Sequence, residues 1–543
     1  MKRRDFIKSS VPVSILPLLL GGYNFRAYGR SRYLEALVAS GTETDHVLVI
    51  VQMNGGNDGL NTVIALDEYS ALANARSNIL LPENKVLKLT DATGLHPSMT
   101  GLQSLYIANK LCVVQGVTYP NPNFSHFRAT DIWLSASDYN QIVPDGWVGR
   151  YLDQEYPDFP NGYPNVVMPD PVAIQIGSVI SPVLQGPAVS MGMAITSPTS
   201  FYQLVSGGVD TAPNTPAGHE LTFIREVVQQ TQQYATVIQA AAAKGKNYST
   251  MYPQSGQNSL ADQLKIVAQL ISGGLKTRIY VVNMGGFDTH SSQVDTNTGT
   301  DVGTHATLLG KLSVAITAFQ DDLKLLGLQD RVIGMTFSEF GRRILSNASA
   351  GTDHGTAAPM FIFGRKVHAG IVGTNPVIPP NATVNDNLAM QYDFRAVYAS
   401  LLKEWFGVSQ AELQTVLLRD FPTVPLITPD GEPPKGDPLL APVRSKAGTM
   451  QPSDGSDYRM ALLGNFPNPF NPTTRIRFSS NGERLQLKVY DSLGREVRTL
   501  VSGSFPAGEH EVVFDAGDLP AGVYYYRLES GDFQQIQTML LVK

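Results

Sequence analysis

An apolar run near the start of the chain constrains the fold more than any other feature. Residues His46 to Met53 read HVLVIVQM, so apolar side chains occupy successive positions instead of alternating with polar ones. A strand of this kind is buried on both faces, as in a parallel sheet covered by helices. Similar runs alternate with longer amphipathic stretches between residues 45 and 428. The pattern predicts an α/β domain, a three-layer αβα sandwich with a mainly parallel sheet.

The same periodicity locates the main elements of this domain. Strands are expected at His46–Met53, Leu111–Val117, Thr277–Asn283, Arg331–Phe337 and Pro359–Phe363. Helices are expected at Pro97–Asn109, Leu221–Ala243, Ser259–Ile271, His305–Leu326 and Asp393–Phe406. The region from Pro144 to Thr215 is rich in Pro, Gly and Ser, and we interpret it as an irregular insertion near the site.

Composition excludes several classes of protein. The net charge is -6 and no basic block occurs beyond the extreme N-terminus, so nucleic acid is not an expected partner. The chain has one cysteine, Cys112, which rules out an internal disulfide and a thiolate cluster. Any metal ion must therefore be held by carboxylate and imidazole groups.

The N-terminus has the features of an export signal. Residues 1 to 8 read MKRRDFIK, and the apolar segment Val11 to Leu20 follows, too short for a permanent transmembrane helix. The pair Arg3-Arg4 resembles a twin-arginine signal, which implies export of a folded protein by the twin-arginine translocase. We assign residues 1–30 to this signal.

The C-terminus has a different pattern. A linker rich in Pro, Gly and Ser, at 429–460, precedes short alternating strands at Thr474–Phe478, Leu485–Tyr490, Val497–Val501, Gly508–Phe514, Gly522–Glu529 and Gln537–Val542. Their spacing predicts a small all-β sandwich over residues 461–543. The strings NFPNPFNPTT, VYDSLGREV and LPAGVYYYRL resemble the sorting domain of type IX secretion substrates. This resemblance implies a type IX secretion machinery as partner and a final location outside the cell or on its surface, reached through the periplasm.

Polar side chains follow several of the expected strands. Asn57 and Asp58 lie in NGGNDGLN after the first strand, and Asp288 and His290 lie in GGFDTHSSQ after a middle strand. Loops that follow parallel strands share one edge of a sheet, so distant residues converge there. Oxygen and imidazole ligands suit a divalent metal ion. Ordinary Asn/Asp/Gly turns remain the alternative interpretation of these loops.

Ser125 follows the strand at 111–117 in the segment YPNPNFSHFRATDIW. Two prolines before it and a helical pattern after it place its hydroxyl at or near a helix N-cap, where an anion is favoured. A nucleophile for a phosphoryl or sulfuryl group would benefit from that position. His126 and Arg128 support this interpretation, because arginine suits an oxyanion. Plain helix capping is the alternative.

The segment from Arg331 to Gly364 carries the remaining candidates. Glu339 follows the strand at 331–337, and Asp353-His354 precedes the strand at 359–363. His305, at the start of the next predicted helix after His290, is a further candidate ligand, and so are Asn57 and Asp353.

The body of the chain resembles the family called domain of unknown function 1501, through QMNGGNDGLNT, NPNFSHFRATDIW, GGFDTHSSQ, SEFGRR and GTDHGTAAPMFIFG. That family is similar in order of motifs to the alkaline phosphatase and sulfatase superfamily. The resemblance implies an alkaline phosphatase-like fold with Ser125 as nucleophile. It also implies metal ligands at Asp58, Asp288, His290, Glu339 and His354. The chain departs from the pattern at Phe340, where a histidine is usual, so a one-metal site or an ion such as Ca²⁺ or Mg²⁺ becomes an alternative.

Together these features predict an exported hydrolase of phosphate or sulfate esters, acting on a small-molecule or glycan ester with a divalent Zn, Mn, Ca or Mg ion. The alternative is a non-catalytic cell-surface protein that binds glycans or sulfated polymers on the same scaffold.

Overall fold

The structure is a computed structural model that describes residues 45–198, 234–428 and, with short gaps, 460–541. The chain divides into two compact units, one before residue 444 and one after it. The predicted export signal, nearly all of the predicted linker and the first part of the helix predicted at 221–243 lie outside the described residues.

All five strands expected from the apolar runs of the first unit are present, and nine further strands among the described residues were not predicted, two of them within the segment 144–215 that was expected to be irregular. The strands are β1 (Val47–Met53), β2 (Val63–Ala65), β3 (Leu87–Lys88), β4 (Thr93–Leu95), β5 (Leu111–Thr118), β6 (Ala173–Ile176), β7 (Met193–Ile195), β8 (Ile279–Met284), β9 (Val332–Phe337), β10 (Arg342–Ser346), β11 (Thr352–His354), β12 (Ala358–Phe363), β13 (Gly370–Val372) and β14 (Tyr392–Asp393). Nine of them form one sheet in the order β13-β5-β12-β9-β1-β8-β6-β7, with β14 beside β5.

Helices cover both faces of this sheet. They are α1 (Tyr69–Arg76), α2 (Thr100–Ile107), α3 (His126–Ser135), α4 (Trp147–Glu155), α5 (Ser259–Ser272), α6 (Thr304–Leu325), α7 (Phe394–Ser400) and α8 (Gln410–Val416). Residues 234–244 are also helical, and a π-helix, Leu401–Trp405, continues α7.

Successive residues of β1 show the layering. Leu48 and Ile50 pack in one core with residues of α3, α4, α7 and α8, whereas Val47, Val49 and Val51 pack in the other with residues of α2, α5 and α6. Because neighbouring side chains of a strand point to opposite faces, a strand with helices on both sides must be apolar throughout. The three-layer αβα sandwich is confirmed.

One strand of the central sheet runs against its neighbours. β12 pairs antiparallel with β5 and β9, whereas β1 pairs parallel with β8 and β9. The residues that precede an antiparallel strand lie at the edge where its parallel neighbours end. Asp353 and His354 precede β12, and this reversal therefore brings them to the edge that receives the loops after β1, β8 and β9.

The second unit is all β. Its strands are β15 (Ala461–Phe466), β16 (Thr473–Ser480), β17 (Arg484–Tyr490), β18 (Glu496–Ser504), β19 (Gly508–Asp515), β20 (Gly522–Ser530) and β21 (Phe533–Leu541). They form two sheets, β15-β16-β19 and β18-β17-β20-β21, around a common apolar core. The sequence pattern predicted this domain and missed only β15. Within the described parts of both units, no helix has the length and apolar content needed to cross a membrane.

Candidate metal centre

Two glycines after β1 allow three loops to meet closely. Gly55 and Gly56 have φ values of 121° and 75°, in the region that favours glycine. A Cβ atom on Gly55 would lie 2.3 Å from the backbone nitrogen of Asp288, and one on Gly56 would lie 2.2 Å from the ring of Phe340. These two glycines therefore permit a close approach of the loops at the edge of the sheet.

Three side chains, two from the loop after β8 and one from β11, converge on one point. The Nε2 atoms of His290 and His354 lie 2.8 Å apart. Asp288 Oδ1 lies 3.2 Å from the Nε2 of His290 and 3.3 Å from the Nε2 of His354. The structure thus brings together three of the ligands that the sequence predicted.

The other ring nitrogen of each histidine is held by an oxygen. His354 Nδ1 lies 2.7 Å from the carbonyl oxygen of Phe124, and His290 Nδ1 lies 3.2 Å from Asp353 Oδ1. An oxygen of either kind accepts a hydrogen bond, which places the proton on Nδ1 and the lone pair on Nε2. Burial lowers the pKa of His354, although the Phe124 carbonyl opposes this shift, so the ring favours its neutral form. Both lone pairs face the convergence point.

His126 approaches the same point from the start of α3. Its Nδ1 lies 2.8 Å from Glu339 Oε1, and its Nε2 lies 3.5 Å from Asp288 Oδ2. Glu339 is buried and also accepts the N–H of Gly55 at 2.8 Å. Ligand atoms of His126, Asp288 and His354 all lie within 4.8 Å of one another. Glu339 therefore contacts the back of an imidazole and does not itself face the centre.

A buried arginine holds Asp288 in its charged form. Arg342 donates from Nε to the carbonyl of Gly56 at 2.6 Å and from Nη1 to the carbonyl of Thr352 at 2.9 Å, which joins two of the loops. Its Nη2 donates to Asp288 Oδ1 at 2.7 Å. Partial burial raises the pKa of Asp288, but the hydrogen bond and charge of Arg342 outweigh this and lower it to about 2. Asp288 stays ionised at neutral pH.

This donor set fits a divalent metal ion. Two lone pairs 2.8 Å apart repel each other unless a positive centre lies between them, either a shared proton or a cation. Ligands of a tetrahedral zinc site, with metal–ligand distances of about 2.0–2.1 Å, lie roughly 3.3 Å from each other. The observed separations of 2.8, 3.2 and 3.3 Å are close to that spacing. Imidazoles whose second nitrogen is bound by carboxylate or carbonyl oxygen are typical of metal sites.

Phe340 forms the apolar floor of the cluster. Its ring centroid lies 4.9 Å from that of His126 and 4.4 Å from that of His354. The resemblance places a histidine at this position. In the structure His126 supplies an imidazole to the cluster, and the Phe340 ring packs against it.

Three other candidate ligands lie in a buried network apart from the cluster. Asp58 is 1% exposed, and both of its oxygens accept hydrogen bonds from Arg76 Nη1, at 3.0 and 2.9 Å. Asn57 Oδ1 lies 3.0 Å from His305 Nε2. The carboxylate of Asp58 is neutralised by arginine and does not face the centre. The structure therefore does not unite Asp58, Asn57 and His305 with the ligands predicted around Asp288.

Gln293 links that network to the loops that carry His290 and Asp353. Its Nε2 donates to Asp58 Oδ2 at 2.6 Å, and its Oε1 accepts from the hydroxyls of Thr289 and Thr352 at 3.0 and 2.9 Å. These threonines flank His290 and Asp353 in sequence. Through Gln293, Asp58 is thus connected by hydrogen bonds to the two loops. Sequence reasoning missed Gln293 and Arg76, since neither stands out in a motif that carries chemistry.

Ser125 is the N-cap residue of α3, as predicted. Its side chain is exposed and makes no capping hydrogen bond to the helix, so the hydroxyl is not occupied in the way that the capping alternative requires.

Arg128, expected to face an oxyanion beside Ser125, has other partners in the structure. Its guanidinium pairs with Asp131 and its Nη2 donates to the carbonyls of residues 138, 139 and 141. Those Nη donors fix the loop after α3 and are not directed at the histidines.

The fold and the cluster define an α/β protein with a candidate metal centre at the carboxyl edge of its sheet. Residues 215–417 match the family described as "Protein of unknown function (DUF1501)", and residues 465–543 match the secretion system C-terminal sorting domain. These matches confirm the resemblance to DUF1501 over residues 215–417 and the resemblance to the sorting domain over residues 465–543. The sorting domain implies a secretion machinery as partner, and it indicates export and attachment to the cell surface.

No curated protein sequence matches the chain. Among solved structures it is similar to a protein in the alkaline phosphatase superfamily from Vibrio parahaemolyticus (10% identity, 85% of this chain and 83% of the other, TM-score 0.31). It is also similar to a sulfatase from Pseudoalteromonas sp. (11%, 88% and 85%, 0.31) and a phosphonate monoester hydrolase from Silicibacter pomeroyi (10%, 92% and 88%, 0.30). At TM-scores this low the likeness carries no conclusion about activity.

Proposed function

We propose that this protein is a secreted, metal-dependent hydrolase of phosphate or sulfate esters. One observation carries the proposal: the imidazoles of His126, His290 and His354 each bind an oxygen through Nδ1 and turn Nε2 toward Asp288. A divalent ion held by these four groups would stabilise negative charge on the oxygens of a transferring phosphoryl or sulfuryl group. Because three of the four donors are imidazoles, an ion such as Zn²⁺ is favoured over Ca²⁺ or Mg²⁺.

Ser125 is the proposed nucleophile. It directly precedes His126 in the chain, and its exposed hydroxyl lies at the N-cap of α3. Backbone N–H groups and the positive end of the helix dipole favour an anion at this position. The charged form of Asp288 is maintained by Arg342, so the centre has its carboxylate ligand across the neutral pH range.

The test combines a metal assay with an ester panel. Purified protein is expected to contain bound metal and to release nitrophenol from its phosphate, phosphodiester or sulfate ester. Ser125→Ala should lower turnover by about three orders of magnitude or more while leaving the metal content unchanged. Thr307→Ala, at an exposed position of α6 outside the cluster, is the matched control. Undiminished turnover in Ser125→Ala would remove the serine from the mechanism.

A second candidate function is binding without turnover, and Phe340 favours it. A phenyl ring stands where the superfamily resemblance places a histidine, and it contacts two imidazoles of the cluster. A surface protein of this kind would retain metal and bind glycans or sulfated polymers. Stoichiometric metal together with no hydrolysis of any ester in the panel would favour this function over the first.

We also propose that residues 1–30 direct export through the twin-arginine translocase, before the sorting domain acts. The sequence MKRRDFIK supports this proposal. Replacement of Arg3 and Arg4 by lysine should retain the precursor in the cytoplasm, as measured by cell fractionation. Normal export of the double variant would contradict the proposal.

A further inference from the structure

An arginine beside the candidate metal centre has no carboxylate partner among the described residues. Arg343 follows the buried Arg342 in β10 and is only partly buried itself. Among the described residues before 429, each of the other arginines makes an ion pair with a carboxylate. Arg343 makes none with a described residue. A guanidinium offers five N–H donors, and an unpaired one next to a site suits the recognition of an oxyanion.

Arg343 is nevertheless held in place. Its Nε donates to the carbonyl oxygen of His354 at 3.0 Å, and its Cζ lies 5.3 Å from the centroid of the Phe124 ring. Phe124 in turn accepts a hydrogen bond from His354 Nδ1 through its carbonyl oxygen. One hydrogen bond and one cation–π contact orient the guanidinium, while no described residue accepts a hydrogen bond from its Nη atoms.

Arg343 and Phe124 contact atoms of His354 other than the one proposed to face the metal. The proposed metal-facing atom of His354 is Nε2, whereas Phe124 contacts Nδ1 and Arg343 contacts the backbone carbonyl. Neither contact therefore occupies the Nε2 of His354, the atom that faces Asp288. The charge of Arg343 has only a minor effect on Asp386, whose pKa is lowered mainly by hydrogen bonds from Thr383.

We propose that Arg343 and Phe124 form a subsite for a second anionic group of the substrate. The proposal rests on the ester hydrolase function and narrows its substrate class to esters that carry a further carboxylate, sulfate or phosphate on the part that does not react. The Nη donors of Arg343 bind the second oxyanion, and the partly exposed Phe124 ring packs against the body of the substrate.

The test uses non-hydrolysable probes, so binding is measured separately from turnover. Titration calorimetry compares phenylphosphonate with 3- and 4-carboxyphenylphosphonate on metal-loaded full-length protein. We expect a carboxylated probe to bind the wild type about 10- to 100-fold more tightly, the range for a hydrogen-bonded ion pair. Arg343→Gln should abolish this preference and leave phenylphosphonate affinity within about threefold.

Two variants complete the experiment. Arg365→Gln removes an exposed arginine that pairs with Asp330, and it should keep the preference. Arg343→Lys retains the charge but lacks the planar donor pair, so it should keep part of the preference for the carboxylated probe. Because the preference is a ratio measured within one variant, partial loss of folded protein does not alter it.

The proposal is overturned if the wild type shows no preference, if Arg343→Gln weakens all probes equally, or if Arg343→Gln keeps the full preference. Hydrolysis is scored independently, with nitrophenyl esters that carry no second anionic group. A preference that depends on Arg343 in a protein without turnover would retain the subsite and reject the hydrolase. Turnover without such a preference would support the hydrolase and reject the subsite.

Discussion

His290 and His354 turn their Nε2 atoms toward each other at a separation of 2.8 Å, although 63 residues separate them in the chain. Their Nδ1 atoms are bound by Asp353 and by the carbonyl of Phe124, so neither ring is free to rotate away. Asp288 is the third member of the triangle. A cation between the rings removes the repulsion that this arrangement otherwise imposes.

The first prediction concerns the metal ligands. His290→Ala and His354→Ala should each lower metal affinity by more than about 100-fold, because loss of a direct ligand exceeds the 10- to 100-fold cost of losing an outer partner. Metal content after dialysis against a competing chelator measures the effect. His510→Ala, at a partly buried histidine of the second unit, should bind metal normally. Full metal occupancy in both ligand variants would reject the centre.

The second prediction separates an outer partner from a ligand. Glu339→Gln retains the size of the side chain but replaces the carboxylate that accepts from His126 Nδ1 and from the Gly55 N–H. We expect metal affinity to fall by about 10- to 100-fold, because the orientation and basicity of His126 are lost. Isothermal titration with Zn²⁺ is the measurement. Complete loss of binding would indicate that Glu339 is itself a ligand, as the resemblance implied.

The third prediction concerns the apolar floor. Phe340 is 2% exposed, and its ring contacts two imidazoles. Phe340→Ala should lower the free energy of unfolding by about 3–5 kcal/mol through the cavity that it creates. Phe127, 91% exposed, is the matched control, and Phe127→Ala should change stability by less than about 0.5 kcal/mol. Urea unfolding of the metal-free proteins measures both, and equal stabilities would contradict the packing role.

The fourth prediction concerns pH. Burial lowers the pKa of His305 from 6.5 to about 4, although the charge of Asp58 opposes the shift. Between pH 6.5 and 4 the unfolded chain therefore binds a proton that the folded protein does not. The stabilisation is complete above pH 6.5 and is lost as the pH falls to about 4. At about 1.4 kcal/mol per pKa unit the loss is on the order of 3 kcal/mol.

The control for this prediction is His305→Gln, which has no titrating group at that position. Its unfolding free energy should fall less between pH 7 and pH 4.5 than that of the wild type, with chelator present in all samples. An identical fall in both proteins would show that His305 does not contribute. The pKa of His96 is lowered to about 3, mainly by burial and less by the charge of His305, so this histidine acts in the same direction in both proteins.

Much of the architecture was predictable from the chain alone. The apolar run that became β1 predicted a doubly covered strand, and the side chains of Val47–Met53 are all buried. Strand and helix periodicity are local properties, so the layers and the C-terminal strands followed from them. The grouping of Asp288, His290 and His354 was also predicted, because loops at one edge of a sheet must converge.

Roles within the site depended on side-chain direction, which the sequence does not encode locally. Asp58 follows β1 at a position that suits a ligand, yet its carboxylate pairs with Arg76 and is not directed at the cluster. Glu339 follows β9 at the same edge, yet it contacts His126 Nδ1, the nitrogen away from the cluster. Residues of one loop face different partners according to backbone angles and the charges packed beside them.

The sequence by itself predicted five of the nine strands of the sheet, several of the helices beside it, the sorting domain and the loops in which chemistry is carried. It did not predict β6 and β7, which lie in the segment interpreted as an irregular insertion. Only the tertiary structure decided which of those polar groups face one another. A buried carboxylate pairs with a cation or donor within hydrogen-bond distance, because burial of an unpaired charge costs free energy. Arg76 and His126 are such partners for Asp58 and Glu339, and both pairings join residues whose proximity exists only in the folded chain.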